Sequence, residues 1–137
     1  MSNLFTKIAD KLGKDAPMTP QSPQISERFT DRVAVVTGGA GGLGMAIARA
    51  YSSEGGRVAI FDANLDAVSS GIVSLQEAGV SPHNLLGLHV DVRDSSAVHQ
   101  AMSQVAENFG RIDSLIAAAG GSVGTPTKLE DITPEDL

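Results

Sequence analysis

The sequence contains no cysteine and only one tyrosine, Tyr51. Without cysteine, this chain of 137 residues has no disulfide bonds, thiol nucleophiles or thiolate metal ligands. No apolar run approaches the roughly 20 residues that cross a bilayer, so we expect no membrane partner. Acidic residues outnumber basic ones by 16 to 10, which gives a formal net charge of −6. Because no basic stripe is present to neutralise phosphates, we also expect no nucleic-acid partner.

The length suits one ordinary domain, and 42% hydrophobic with 19% charged residues is a globular composition. We expect residues 1–26 to form a flexible arm and a proline-rich linker, and residues 27–137 to form the domain. The lack of cysteine fits a reducing compartment, so we expect a cytoplasmic protein. An amphipathic pattern over residues 1–14 leaves organelle targeting as the alternative.

A glycine-rich turn between a strand pattern and a helix pattern organises the rest of the chain. The apolar run 33–36 predicts a parallel strand that is buried on both faces. After the glycines, Leu43, Ile47, Ala50 and Tyr51 recur at helical spacing and predict the inner face of a helix. The turn between two such elements must be tight.

Two motifs fit these glycines: G-x-G-x-x-G from Gly39, and T-G-x-x-x-G-x-G from Thr37. We prefer the second because it begins at the strand end. In that register Gly38 adopts backbone angles closed to other residues, Gly42 leaves room for a pyrophosphate, and Gly44 lets the helix approach the strand. Phosphates would then lie at the positive end of the helix. A ligand-free turn is the alternative.

Three more strand patterns follow, at 58–61, 85–90 and 114–119, and they alternate with two helix patterns. The predicted inner faces carry Leu65, Val68, Ile72 and Leu75 in one helix, and Val98, Met102, Val105 and Phe109 in the other. Asp94 or Ser95 can cap the second helix. Strict alternation predicts an α/β fold: a Rossmann-type, doubly wound parallel sheet, truncated after about four strands.

Gly38, Asp62, Asp91 and Gly120 each follow a predicted strand, so the fold would bring them to one rim. Asp62 follows Gly44 by 18 residues, close to the spacing at which an acidic side chain accepts hydrogen bonds from an adenosine ribose. A carboxylate there favours NAD over NADP. The alternative for Asp62 is a loop carboxylate or a helix cap.

The motif from Thr37, with Asp62 after the next strand, closely resembles the cofactor signature of the short-chain dehydrogenase/reductase family. From about residue 31 to residue 137, the resemblance implies the NAD-binding half of an oxidoreductase that moves a hydride between NAD and an alcohol or carbonyl. It also implies that Asp91 takes the adenine amino group and that Val92 packs on the ring. Where the family has Asn-Asn-Ala-Gly, this sequence has Ala-Ala-Ala-Gly at 117–120.

The candidate cofactor-binding residues are Gly38, Gly42, Leu43, Gly44, Asp62, Asp91, Val92, Ala118, Ala119 and Gly120. The resemblance implies a catalytic tyrosine with a lysine four residues later, but Tyr51 is followed at that distance by Gly55. We therefore assign no catalytic residue and leave open whether the chain is itself an enzyme. We assign no metal site either, because the three histidines share no ligand spacing.

The pattern at 133–137 is typical of a helix start, so we expect a truncated product or a fragment. We also expect an unpaired sheet edge, and self-association through it. The loop residues Ser122, Thr125 and Thr127 either touch substrate or simply form a loop. A non-enzymatic NAD-binding or regulatory module is the alternative function.

Overall fold

Residues 27–120 are described by a computed structural model and form strands and helices in strict alternation. The elements are β1 (Val33–Thr37), α1 (Gly42–Ser53), β2 (Arg57–Asp62), α2 (Leu65–Glu77), a short 3₁₀ turn (Pro82–Asn84), β3 (Leu85–His89), α3 (Ser95–Phe109) and β4 (Ser114–Ala117). The predictions for residues 1–26, for Ser122, Thr125 and Thr127, and for the terminal helix start lie outside the described residues.

The four strands form one parallel sheet in the order β3-β2-β1-β4. Val35 is paired with Ala59 on one side and with Leu115 on the other, and Ile60 is paired with Gly87. This confirms the predicted Rossmann-type arrangement. Because all strands run in the same direction, their carboxyl ends lie along a single edge, where ligands bind in open sheets of this kind.

The central strands β1 and β2 are buried on both faces of the sheet, and alternate side chains of each strand point to opposite faces. On one face, Ala34 and Val36 belong to a core cluster with residues of α1 and α2. On the other face, Val33 and Val35 lie in a second cluster with residues of α3. The run 33–36 is therefore fully buried, as the sequence predicts for a central parallel strand.

The predicted inner face of α1 is wrong in part. Leu43 is 69% exposed and Ala50 is also exposed, whereas Gly44, Ala48 and Tyr51 are buried. The spacing of the apolar side chains predicts a buried face that includes Leu43 and Ala50. In the structure, α1 instead packs against the preceding turn through Gly44. Close approach of the backbones decides the helix face here, and a hydrophobic pattern does not report it.

Leu65 was also predicted to face inward, and the structure places it 57% exposed at the first position of α2. The buried residues of this helix are Val68, Gly71 and Leu75. Leu65 lies just after the carboxyl end of β2, and the helix first becomes buried at Val68. Within residues 27–120, no helix is long and apolar enough to span a bilayer.

At the amino ends of the strands, the Asp113 carboxylate connects the start of β1 to the start of β4. Its side chain is 13% exposed. It accepts hydrogen bonds from Arg111 Nε (2.9 Å), Val33 N (2.9 Å) and Arg32 Nη1 (2.9 Å). The bonds from Arg111, Val33 and Arg32 hold the pKa of Asp113 well below its usual range. The bonded form is the ionised one, so the carboxylate contributes stability only while it stays deprotonated.

We expect Asp113→Asn to lower the unfolding temperature at pH 7. A depressed folded-state pKa gives stability that is present above the unfolded pKa, about 3.9, and is lost as pH falls through the folded value. The difference between wild type and variant should therefore shrink as the pH drops below about 4. Thermal unfolding followed by circular dichroism from pH 7 to pH 2 measures it. Glu107→Gln, on the exposed side of α3, is the control, and a pH-independent difference would contradict the role of the charge.

Candidate functional site

The carboxyl ends of the strands surround a pocket of about 600 Å³. Its lining includes every candidate cofactor-binding residue from the sequence: Gly38, Gly42, Leu43, Gly44, Asp62, Asp91, Val92, Ala118, Ala119 and Gly120. It also includes Gly41, Ala63, Val90 and Arg93, which were not among the candidate cofactor-binding residues. The fold thus brings the candidates to one place, while their part in binding stays a prediction.

At Gly38, the turn after β1 packs closely against the segment that follows β4. Its φ of +62° is in the left-handed region, and a Cβ there would lie 2.8 Å from both Ala118 O and Ala119 N. The backbone of Thr37 accepts a hydrogen bond from Ala118 N at 3.2 Å, and Thr37 Oγ1 accepts one from Ala119 N at 3.3 Å. Both the conformation and the close contact therefore require glycine.

The end of β4 differs from the prediction by two residues. The sequence predicts a strand to Ala119, but the strand ends at Ala117. Beyond it, the hydroxyl of Thr37 replaces a backbone acceptor for Ala119. Ala118, Ala119 and Gly120 therefore line the pocket from a segment that leaves the sheet.

Gly42 and Gly44 lie in the first turn of α1 and have opposite surroundings. A Cβ on Gly44 would collide with the Gly38 carbonyl oxygen and lie 2.7 Å from Gly39 Cα. The structure therefore places Gly44 against the turn itself, rather than against the strand as the sequence predicts. A Cβ on Gly42 would meet no atom within 4 Å, because this residue faces the open pocket.

The start of α1 leaves its backbone donors free. Asn64 caps α2 and Asp94 caps α3 with their side chains, which resolves the choice between Asp94 and Ser95. The residue before α1 is Gly41, which has no side chain to act as a cap. In the described part of the chain, the N–H groups of residues 42–44 make no hydrogen bond. These donors, together with the helix dipole, favour an anion.

Asp62 ends β2 and faces the same pocket. Its Oδ2 accepts a hydrogen bond from Ala40 N (3.2 Å), and its Oδ1 accepts one from Asn64 N (3.0 Å). These contacts fit the loop-carboxylate alternative, and they also hold the side chain in place. Each carboxylate oxygen can accept a second hydrogen bond, so Asp62 retains capacity for hydroxyl groups of a ligand.

Asp91 follows β3 and is paired with Arg93, the only cation that lines the pocket within residues 27–120. Arg93 Nη2 lies 2.7 Å from Asp91 Oδ2. Hydrogen bonds from the side chain and the backbone of Arg93 lower the pKa of Asp91 to about 2. The sequence signal that could have revealed Arg93 is an aspartate at a strand end followed two residues later by a cation.

Tyr51 lies far from this pocket. It is 7% exposed near the end of α1, at the opposite edge of the sheet, and its ring stacks on Phe29 with centroids 4.0 Å apart. His89 Nε2 lies 3.0 Å from the carbonyl oxygen of Ala63, so this histidine is tied to the loop after β2. Across the described ranges, no three potential ligands come together as a metal site.

Residues 32–137 match the sequence profile of the short chain dehydrogenase family. The chain belongs to this family. It is 40% identical over 93 residues to meso-2,3-butanediol dehydrogenase of Serratia marcescens, a match that covers 68% of this chain and 35% of that protein. It is 37% identical over 110 residues to cis-1,2-dihydrobenzene-1,2-diol dehydrogenase of Pseudomonas putida, covering 80% of this chain and 37% of that one.

Solved structures show the same relationship. NAD⁺-bound xylitol dehydrogenase superposes with a TM-score of 0.68 at 31% identity, over 80% of this chain and 40% of that chain. The N-domain of a bacterial malonyl-CoA reductase, solved with NADP, superposes with a TM-score of 0.67 at 33% identity, over 79% of this chain and 20% of that chain. The chain thus spans about a third of the length of the curated relatives that it matches.

Proposed function

We propose that this chain is the NAD-binding portion of an oxidoreductase that transfers a hydride between NAD and an alcohol or carbonyl compound. The observation that carries this proposal is the uncapped start of α1, which directs the free N–H groups of residues 42–44 into a pocket formed by the strand ends. A pyrophosphate is the ligand that such donors suit best.

The residues that would hold the cofactor follow from their positions. The first turn of α1 would donate hydrogen bonds to the pyrophosphate, and the open face at Gly42 would let the phosphates approach the backbone. Asp62 would accept hydrogen bonds from the adenosine ribose. Asp91 and Val92 would contact the adenine, while Ala118, Ala119 and Gly120 would lie beside the nicotinamide ribose. When bound, the nicotinamide supplies the hydride chemistry.

The preference for NAD over NADP rests on charge and space near Asp62. A 2′-phosphate placed there would face a carboxylate, and Ala63 offers no cation. Gly39 cannot be replaced by a basic residue without disturbing the turn, because a Cβ there would lie 2.7 Å from Ile60 Cβ. Relatives with bound NAD and with bound NADP both share this fold, so the preference between the two cofactors must depend on the residues around the ribose.

We expect wild type to bind NAD at least about tenfold more tightly than NADP, because a like charge beside the 2′-phosphate is unfavourable. Replacing Asp62 with Ala and Ala63 with Arg together should reverse the preference. Calorimetric titration with both dinucleotides measures it. Asp66→Ala, an exposed acid in the first turn of α2, is the matched control and should leave the ratio unchanged. Tighter binding of NADP by wild type would refute the assignment of Asp62.

The relatives named above are all oxidoreductases by name, so a non-enzymatic binding or regulatory module is the less favoured function. Two further parts of the proposal, self-association and location, have separate grounds. Self-association through the edge of β4 rests on the position of that strand at the end of the described sheet and on Leu115, which is 57% exposed. A cytoplasmic location rests on the lack of cysteine.

A further inference from the structure

The carboxylate of Asp91 is held by a single neighbour. The backbone N–H of Arg93 donates to Asp91 Oδ1 at 3.0 Å. Arg93 Nε donates to Oδ1 at 3.0 Å and to Oδ2 at 3.2 Å, and Nη2 donates to Oδ2 at 2.7 Å. Backbone and guanidinium together therefore fix the plane of the carboxylate.

These contacts leave a defined acceptor on Asp91. Each carboxylate oxygen accepts about two hydrogen bonds, and Oδ1 already receives two, from the backbone and from Nε of Arg93. Oδ2 receives a short bond from Nη2 of Arg93 and a longer one from Nε, which is shared with Oδ1. The remaining capacity therefore lies mainly on Oδ2. The low pKa of about 2, to which Arg93 contributes most and His89 on β3 adds, keeps this oxygen an acceptor.

The Asp91–Arg93 pair adds little to the stability of the fold. The side chain of Arg93 is 88% exposed, and exposed ion pairs of this kind contribute little to folding. Both residues nevertheless line the pocket, next to Val92, whose apolar side chain is 46% exposed. An oriented acceptor beside an apolar surface suits a flat base that carries an amino group on its edge.

We propose that Arg93 is a positioning residue for base recognition: it holds Asp91 so that the pocket takes a 6-aminopurine, adenine, in preference to a 6-ketopurine such as hypoxanthine. The inference rests on the proposed function and names a determinant of its specificity. An amino group donates to the fixed oxygen, whereas a keto oxygen at the same place is an acceptor facing another acceptor.

The test compares NAD with nicotinamide hypoxanthine dinucleotide, which differ only at the base, in calorimetric titrations of the full chain. Wild type should prefer the adenine form by about tenfold. Arg93→Ala should reduce that ratio by about three- to tenfold. Arg93→Lys, which keeps the charge without the planar fork, should restore it in part. Adding Asp91→Ala to Arg93→Ala should change the ratio little further, because both act through one carboxylate.

Arg28→Ala is the matched control, since its exposed guanidinium also binds both oxygens of a carboxylate, that of Glu54, away from the pocket. It should leave the ratio at the wild-type value. An unchanged ratio in Arg93→Ala, in a variant that still binds NAD, would overturn the role of Arg93 alone. If wild type binds neither dinucleotide, the proposed function fails as well.

Discussion

Gly42→Val should weaken NAD binding by at least about a hundredfold while leaving the fold intact. Gly42 opens α1 at the pocket, and nothing lies within 4 Å of the place where its Cβ would be. The valine side chain would therefore occupy the space proposed for the pyrophosphate. It would separate the phosphates from the free N–H groups of residues 42–44, and two charge-assisted hydrogen bonds lost account for a change of this size.

Two measurements separate this effect from unfolding. Calorimetric titration gives the affinity for NAD, and circular dichroism gives the unfolding temperature, which should stay within about 3 °C of wild type. The control is Ala46→Val, an exposed position one turn later in α1 with the same branched side chain. An affinity for NAD in Gly42→Val equal to that of wild type would falsify the phosphate site.

Gly44→Ala should destabilise the protein by about 2 kcal/mol, although alanine is the better helix former by about 1 kcal/mol. The added methyl group would collide with the carbonyl oxygen of Gly38 and lie 2.7 Å from Gly39 Cα. Both contacts are with backbone atoms, so no side chain can rotate away. The turn must move off the helix, and its contact with the end of β4 moves with it.

Thermal unfolding measures this effect, and a fall of roughly 10 °C is expected for a domain of this size. Gly42→Ala is the matched control, because it makes the same change two residues earlier in the same turn. With open space around its Cβ, it should be neutral or raise the unfolding temperature slightly. Equal effects of the two substitutions would contradict the close approach at Gly44.

Much of the site was predictable because the sequence pattern indicates the direction of the strands. The run 33–36 has the pattern of a strand buried on both faces, and the strict alternation with helices requires parallel strands. Parallel strands end at one edge, so Gly38, Asp62, Asp91 and Gly120 had to meet there, and the structure places all of them around one pocket. The spacing of the glycines and the alternation of strands with helices can both be read directly from the sequence.

The tertiary structure decided what depends on close contact. The sequence favoured Leu43 and Ala50 for the buried face of α1, but the approach of Gly44 to the turn set the face instead. It predicted that Gly42 leaves open space and that Gly44 makes a close contact, but it placed that contact on the strand instead of on the turn at Gly38 and Gly39. It did not show that Arg93 would hold Asp91. The sequence by itself determined the order of strands and helices and the edge that carries the site. Which atoms touch was decided only when the chain was packed, because contacts of a few ångströms depend on backbones brought together from distant parts of the sequence.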